Sequence, residues 1–204
     1  MQAITQIADS IGIDPQIILP YGKYKAKIPL EAIRTDGPRG KLVVVTGMTP
    51  TQAGEGKTTT VVGLTQGLGK LGKKVIATLR EPSLGPIFGI KGGGTGGGAS
   101  KILPEDEVNI HFTGDAHAVS SAHNLLATLA DNVAQRGQLP GFHPSGIQWR
   151  RVSDVEDRAL RTIVTGIGGT ANAPVRETGF DIVTASEIMA ILALSSSLEN
   201  LRSR

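Results

Sequence analysis

Short apolar runs along the chain alternate between two patterns, which predict strands and helices in turn. Residues 42–46 form a continuous, mainly β-branched run bounded by Gly40 and Gly47, as expected of a parallel strand buried on both faces. Between residues 58 and 71 apolar residues recur at helical spacing, and residues 75–79 form a second apolar run. This order predicts a strand, helix and strand unit with a right-handed crossover.

The same alternation continues through the rest of the chain. Residues 108–112 predict a third strand, and residues 117–132 predict a long helix. That helix is expected to bury one face, formed by Val119, Ala122, Leu126 and Leu129. Residues 180–184 predict a further strand, and Thr184 with Glu187 has the spacing of a capping box that starts a final helix. We therefore predict an α/β fold of three layers, a mainly parallel sheet with helices on both faces. The glycine loop that ends in Gly54-Glu55-Gly56-Lys57-Thr58-Thr59 makes this fold similar to P-loop NTPases.

The loop after the first predicted strand is rich in glycine and ends in Gly54-Glu55-Gly56-Lys57-Thr58-Thr59. Glycines let backbone N–H groups approach phosphates closely, and the helix start behind them carries partial positive charge. Lys57 is then the point charge for the outer phosphates, and the Thr58 hydroxyl is a candidate Mg²⁺ ligand. Thr51 stands where a full Walker A pattern has glycine, so the position of the loop between strand and helix supports the prediction more than the pattern does. A merely structural glycine turn is the alternative.

Two further residues follow predicted strands. Arg80 comes directly after residues 75–79, at the carboxyl end of a strand where open parallel sheets bind ligands. Its guanidinium suits a carboxylate or an acyl phosphate, unless it only pairs with Glu81. Asp115 follows residues 108–112 and is the candidate acidic ligand of Mg²⁺, with a helix N-cap as the alternative. Asp181 competes less well, because it lies at the start of its strand.

A second glycine loop lies at residues 92–98. It can serve as an anion-binding nest, a loop for close packing, or a mobile lid. The three histidines nearby, at positions 111, 117 and 123, have no acidic spacing that supports a zinc site.

Composition narrows the possible partners. The net charge of +3 and the 3% aromatic content do not favour nucleic-acid binding, so the basic residues between positions 21 and 41 are expected to form a solvated face. No stretch approaches the roughly 18 apolar residues of a membrane helix, and no secretory signal is recognisable. We expect no membrane association and a cytoplasmic protein.

Residues 1–40 predict an N-terminal helix and an irregular basic arm, and residues 41–204 predict the nucleotide-binding domain.

Several motifs together resemble one family, the formate–tetrahydrofolate ligases. The motifs are Tyr21-Gly22-Lys23-Tyr24-Lys25-Ala26-Lys27, the loop 49–60, Arg80-Glu81-Pro82-Ser83-Leu84-Gly85-Pro86, His111-Phe112-Thr113-Gly114-Asp115, Trp149-Arg150-Arg151-Val152 and Gly179-Phe180-Asp181-Ile182. The resemblance covers essentially the whole chain and implies a ligase that uses ATP and Mg²⁺ to join formate to tetrahydrofolate through formyl phosphate. It implies that Lys57 and Thr58 hold the phosphates and metal, that Arg80 holds formyl phosphate, and that the protein is a homo-oligomer.

Some positions depart from the family pattern. Gly94, Thr95 and Ala99 stand where the family has alanines and a tyrosine, and Ala173 to Arg176 differ from the usual Gly-Val-Pro-Arg. Family members are longer, so we expect this chain to supply the ATP and formyl-phosphate part and to bind tetrahydrofolate weakly. One alternative is a regulatory ATPase similar to partition or nitrogenase iron proteins. Gln52 argues against it, because those proteins carry a lysine at this position. The other alternative is an inactive truncated fragment.

Overall fold

The computed structural model describes residues 1–32, 36–37, 39–49, 54–82, 84, 94–155, 157–169 and 171–204. Its six α-helices within these ranges are α1 (Ile4–Ser10), α2 (Lys57–Lys70), α3 (Glu105–Ile110), α4 (Asp115–Gln135), α5 (Glu187–Leu194) and α6 (Leu198–Ser203). Its strands there are β1 (Leu19–Tyr21), β2 (Lys25–Lys27), β3 (Gly96–Gly97), β4 (Ser100–Lys101), β5 (Arg151–Ser153), β6 (Ile163–Thr165), β7 (Arg176–Thr178) and β8 (Phe180–Ile182). The protein is thus a mixed α/β structure.

The strands pair two by two. Strands β1 with β2, β3 with β4, and β6 with β7 are antiparallel, whereas β5 and β8 are parallel with Val152 opposite Asp181. The chain separates into two compact units, Met1–Thr113 and Gly114–Arg204. The boundary that the sequence suggests between residues 40 and 41 stays a prediction.

In the first unit, the N-terminal residues form more than an irregular arm. Helix α1 forms as predicted, and the backbone N–H of Ile4 donates to the carbonyl of Lys23 at 2.9 Å, in the turn of the β1–β2 hairpin. Lys25 on this hairpin is 7% exposed. The expectation of a solvated basic face is therefore wrong for Lys25, because its charge has partners within the fold.

Three predicted strands are absent from the described residues. Residues 42–46 and 75–79 lie outside helices and strands, and Leu42 is 86% exposed. A β-branched run favours an extended backbone, but a strand forms only where a neighbouring strand pairs with it. Residues 108–112 mostly belong to α3, because Glu105, Asp106 and Glu107 occupy its first turn, where negative charge stabilises a helix.

The second unit is organised around α4, which confirms the predicted long helix. Its buried residues are Val119, His123, Ala127 and Asp131. The predicted apolar face is wrong beyond Val119, since Leu126 and Leu129 are 42% and 52% exposed. Two polar residues are buried instead: Asp131 accepts from Arg151 and Arg176, and Nε2 of His123 lies 3.0 Å from the carbonyl oxygen of Arg150.

Strand β5 attaches to α4 through Asn124. The side-chain Oδ1 of Asn124 accepts from the N–H of Val152 at 2.9 Å, and its Nδ2 donates to the carbonyl of Val152 at 3.1 Å. Val152 then packs with Val119 and Val183 in the apolar core of this unit. The amide thus hydrogen-bonds both backbone groups of Val152, as a neighbouring strand would.

Helix α5 confirms the helix predicted after Thr184, although α6 follows it in the chain, and its N-cap differs from the prediction. Ser186, not Thr184, is the N-cap, and its side chain accepts from the N–H of Met189 at 3.2 Å. The predicted capping box fails because residues 183–185 form a turn of 3₁₀ helix, which moves the helix start beyond Thr184. None of the helices in the described part of the chain has the length and apolar character of a membrane span.

Candidate functional site

The end of the glycine loop has the geometry of a helix start without a side-chain cap. Gly54 and Gly56 adopt φ angles of +90° and +69°, in the left-handed region that favours glycine. Gly56 is the N-cap of α2 and has no side chain to accept from the helix N–H groups, and the first turn contains no acidic residue. The first N–H groups of a helix lack intrahelical partners and carry partial positive charge. The start of α2 is therefore suited to an anion.

Lys57 is the first residue of α2 and forms an ion pair with Glu55. Its side chain is 46% exposed, whereas that of Glu55 is 14% exposed. The sequence pointed to Lys57 but missed the carboxylate of Glu55 as its partner. The spacing of two residues across a glycine was the available signal, because a tight turn at Gly56 brings such neighbours together.

The two threonines that follow differ in exposure. Thr58 is half-buried and Thr59 is exposed, both in the first turn of α2. A hydroxyl at Thr58 is a hard oxygen donor of the kind that Mg²⁺ accepts. The residue therefore fits the metal role in chemistry and in its place beside Lys57.

The described part of the second glycine loop packs on this helix. A Cβ placed on Gly97 would lie 3.4 Å from Oγ1 of Thr59, and one on Gly96 would collide with the carbonyl of Ser100. Helix α2 also contacts strands β3 and β4. Of the three interpretations of residues 92–98, close packing describes Gly96 and Gly97, whereas a Cβ on Gly98 would meet open space; residues 92 and 93 lie outside the described residues.

Arg80 is exposed on a segment without helix or strand. Within the described ranges, no hydrogen bond or ion pair joins it to Lys57, whose recorded partner is Glu55. The structure thus places Gly54, Glu55, Gly56, Lys57, Thr58 and Thr59 on one continuous loop and helix start, without bringing Arg80 into contact with Lys57. The role of Arg80 stays a prediction.

Asp115 is the first residue of α4, in the second unit. Its alternative interpretation as a helix N-cap is wrong, because Gly114 with φ +88° takes that position. Its carboxylate lies in the first turn, where it complements the helix dipole. Asp181 lies in the middle of β8 and pairs with Arg150 at 3.3 Å. Among the described residues no group of three or more histidine, aspartate or glutamate side chains forms a metal site.

A cluster of side chains in the first unit contacts His111, the first residue of the motif that ends at Asp115. The ammonium of Lys25 donates to the carbonyl of His111 at 3.0 Å and pairs with Glu107 at 3.4 Å. Oη of Tyr21 lies 3.1 Å from Nε2 of His111. Two side chains of the Tyr21–Lys27 motif, those of Tyr21 and Lys25, thus pack against His111 within this unit.

The family model described as formate–tetrahydrofolate ligase matches residues 1–204. Formate–tetrahydrofolate ligase 2 of Lactobacillus acidophilus is 53% identical over 204 residues, which cover 100% of this chain and 37% of that protein. Formate–tetrahydrofolate ligase of Bartonella tribocorum is 55% identical over 205 residues, with the same coverage of 100% and 37%.

A third relative, formate–tetrahydrofolate ligase of Thermosipho africanus, is 54% identical over 207 residues, again 100% of this chain and 37% of the relative. The chain therefore spans about 37% of the length of these relatives. Because the family match extends over all 204 residues and confirms the resemblance of the motifs, the chain belongs to the formate–tetrahydrofolate ligase family.

Proposed function

We propose that this chain supplies the ATP and formyl-phosphate part of an enzyme that ligates formate to tetrahydrofolate. The observation that carries the proposal is the start of α2, where the N-cap residue Gly56, left-handed and without a side chain, precedes Lys57, Thr58 and Thr59. A family of ligases that joins two substrates at the expense of ATP needs such a phosphate site, and the candidate residues for it all lie in this chain.

The reaction proceeds in two steps. A formate oxygen attacks the γ-phosphorus of ATP, the bond to the β-phosphate oxygen breaks, and formyl phosphate and ADP form. N10 of tetrahydrofolate then attacks the formyl carbon and loses its proton, while phosphate leaves with the electrons of the broken C–O bond. The product is 10-formyltetrahydrofolate. Both steps depend mainly on holding anions in line and neutralising their charge.

The residues of the loop have distinct roles in this proposal. The backbone N–H groups from Gly54 to Thr59 bind phosphate oxygens, and the left-handed glycines allow that close approach. Lys57 neutralises the charge of the outer phosphates, and Arg80 binds formyl phosphate through paired guanidinium hydrogen bonds. Their positive charges favour the in-line transfer because negative charge is spread over the transferred phosphoryl group.

Thr58 would hold Mg²⁺, which when bound neutralises phosphate charge, and Asp115 stays the acidic ligand proposed from the sequence alone. A hydroxyl and a carboxylate are oxygen donors that suit this ion. Thr58 is supported by its place in the first turn of α2, and Asp115 by its place after the His111 to Gly114 motif.

The finer architecture and the partners belong to the same proposal. The three-layer arrangement similar to P-loop NTPases is part of the proposal and is supported by the glycine loop before α2, whereas β5 with β8 is the one parallel pair among the described strands. Formate and tetrahydrofolate are the proposed substrates, with a homo-oligomeric assembly of the kind the family resemblance implies.

The test measures ATP binding by calorimetry and formate-dependent formation of 10-formyltetrahydrofolate in the same preparations. Lys57→Ala is expected to weaken ATP binding and to lower kcat/KM by about 100-fold or more, as for loss of one preorganised group in a transition-state site. Lys70→Ala removes the same charge from the last turn of α2 and should leave both measurements unchanged.

Arg80→Ala distinguishes the binding of ATP from the handling of formyl phosphate. It should retain ATP binding while formyl transfer falls by about 100-fold. Unaltered ATP binding in Lys57→Ala would contradict the proposal. If the unaltered chain neither binds ATP nor transfers formyl groups, the alternative of an inactive fragment is correct.

A further inference from the structure

The side chain of Glu55 is held in place beside the phosphate loop. It is 14% exposed, and it packs against the backbone of Gly47, where an added Cβ would lie 3.1 Å from Cγ of Glu55 and 3.5 Å from its Cβ. Its carboxylate oxygen Oε2 accepts from the ammonium of Lys57. The glutamate is thus packed on one side and directed at the lysine on the other.

The ammonium of Lys57 cannot bind Glu55 and a phosphate equally strongly at the same time. Its ammonium is a compact charge on a flexible stem, and carboxylate and phosphate oxygens are both strong acceptors for it. The lysine is 46% exposed, whereas its partner is much less exposed. An arriving anion therefore reaches the ammonium from solvent, while Glu55 retains its position against Gly47.

We propose that Glu55 is a positioning residue that acts through Lys57: its carboxylate holds the ammonium while no nucleotide is bound and competes with phosphate oxygens for it. This inference rests on the proposed function of the loop. Its consequence is that Glu55 weakens nucleotide binding, although it is itself part of the phosphate loop. The benefit is an ammonium that stays beside the start of α2 rather than extending into solvent.

The competition predicts a gain in affinity when the carboxylate is removed. An ion pair whose lysine is about half exposed contributes up to about 1 kcal/mol, so Glu55→Gln should bind ATP about two- to five-fold more tightly. Glu55→Ala should show the same direction. Glu105→Gln is the control for net charge, because Glu105 also pairs with a lysine, Lys101 at 2.7 Å, and its substitution changes the net charge equally.

The experiment is a double-mutant cycle on the 204-residue chain, with dissociation constants for ATP in Mg²⁺ buffer measured by calorimetry. The four proteins are the unaltered chain, Glu55→Gln, Lys57→Ala and the double variant, each checked for folding by circular dichroism. If Glu55 acts through Lys57, its substitution brings no gain in the Lys57→Ala background, and Glu105→Gln has no effect.

Two results overturn the inference while leaving the proposed function intact. One is equal or weaker ATP binding by Glu55→Gln and Glu55→Ala, together with a clear loss in Lys57→Ala. The other is a gain that persists without Lys57, since Glu55 would then act by general repulsion of the nucleotide. Normal ATP binding by Lys57→Ala instead contradicts the proposed function itself, so the two failures are distinguishable.

Discussion

Asp131 and Arg176 form a buried ion pair in which Nε of the arginine donates to Oδ1 of the aspartate at 2.9 Å, with both side chains 6% exposed. Arg151 donates to the other oxygen of Asp131 at 2.8 Å. The carboxylate at the end of α4 therefore ties strands β5 and β7 to the helix. One acidic group neutralises part of the charge of two guanidinium groups in a region with little access to water.

Removal of this carboxylate should be strongly destabilising. Asp131→Asn leaves two arginines without their counter-ion, and breaking a buried pair typically costs about 3–5 kcal/mol. We expect a corresponding fall in the free energy of unfolding measured by urea denaturation. Asp181→Asn is the control, since Asp181 is 53% exposed in its pair with Arg150 and should change stability by less than about 1 kcal/mol. Equal effects of the two substitutions would contradict the importance of burial.

A second prediction concerns the start of α5, where two substitutions should change stability in different directions. Ser186→Ala removes the N-cap acceptor for Met189 and should lower the free energy of unfolding by about 1 kcal/mol. Thr184→Val should leave stability unchanged or raise it, because the buried hydroxyl of Thr184 has no hydrogen-bond partner among the described residues and its removal lifts a desolvation penalty. Thermal denaturation distinguishes the two. A larger loss in Thr184→Val than in Ser186→Ala would restore Thr184 as the cap.

Two glycines of α2 should respond differently to alanine. Gly67 has open space around its added Cβ, and alanine there should raise the free energy of unfolding by up to about 1 kcal/mol through helix propensity. At Gly63 the new Cβ would lie 3.0 Å from Oγ of Ser100, so the same substitution should gain less or be destabilising. Urea denaturation of both variants measures the difference. An equal gain at both positions would mean that the β3–β4 hairpin does not pack on α2 as described.

Lys25 provides a fourth prediction. Lys25→Met removes the hydrogen bond to the carbonyl of His111 and the pair with Glu107. Hydrogen bonds to charged groups contribute about 1.5–3 kcal/mol, so we expect a loss of stability in that range in chemical denaturation. Lys23→Met in the same hairpin turn is the control and should change stability by less than about 0.5 kcal/mol, as usual for surface positions. A negligible effect at Lys25 would indicate a solvated lysine, as its sequence context alone suggests.

The sequence by itself determined those features whose signals lie within a few neighbouring residues. Glycines before Lys57 specify a left-handed turn and a helix start, and helical spacing of apolar residues specifies the existence of α2 and α4. Both depend on local backbone preference and periodicity. The motifs also identified the family, which the match over residues 1–204 confirmed.

Only the tertiary structure decided which side chains are buried and which strands pair. Asp131 and Arg176 are 45 residues apart in the chain, and nothing local distinguishes them from solvated charges. Likewise, the β-branched residues 42–46 favour an extended backbone, but pairing depends on a partner elsewhere in the chain. Burial of polar Lys25 and Asp131 instead of apolar Leu126 and Leu129 has the same reason, because a polar group is buried where distant residues supply its hydrogen bonds.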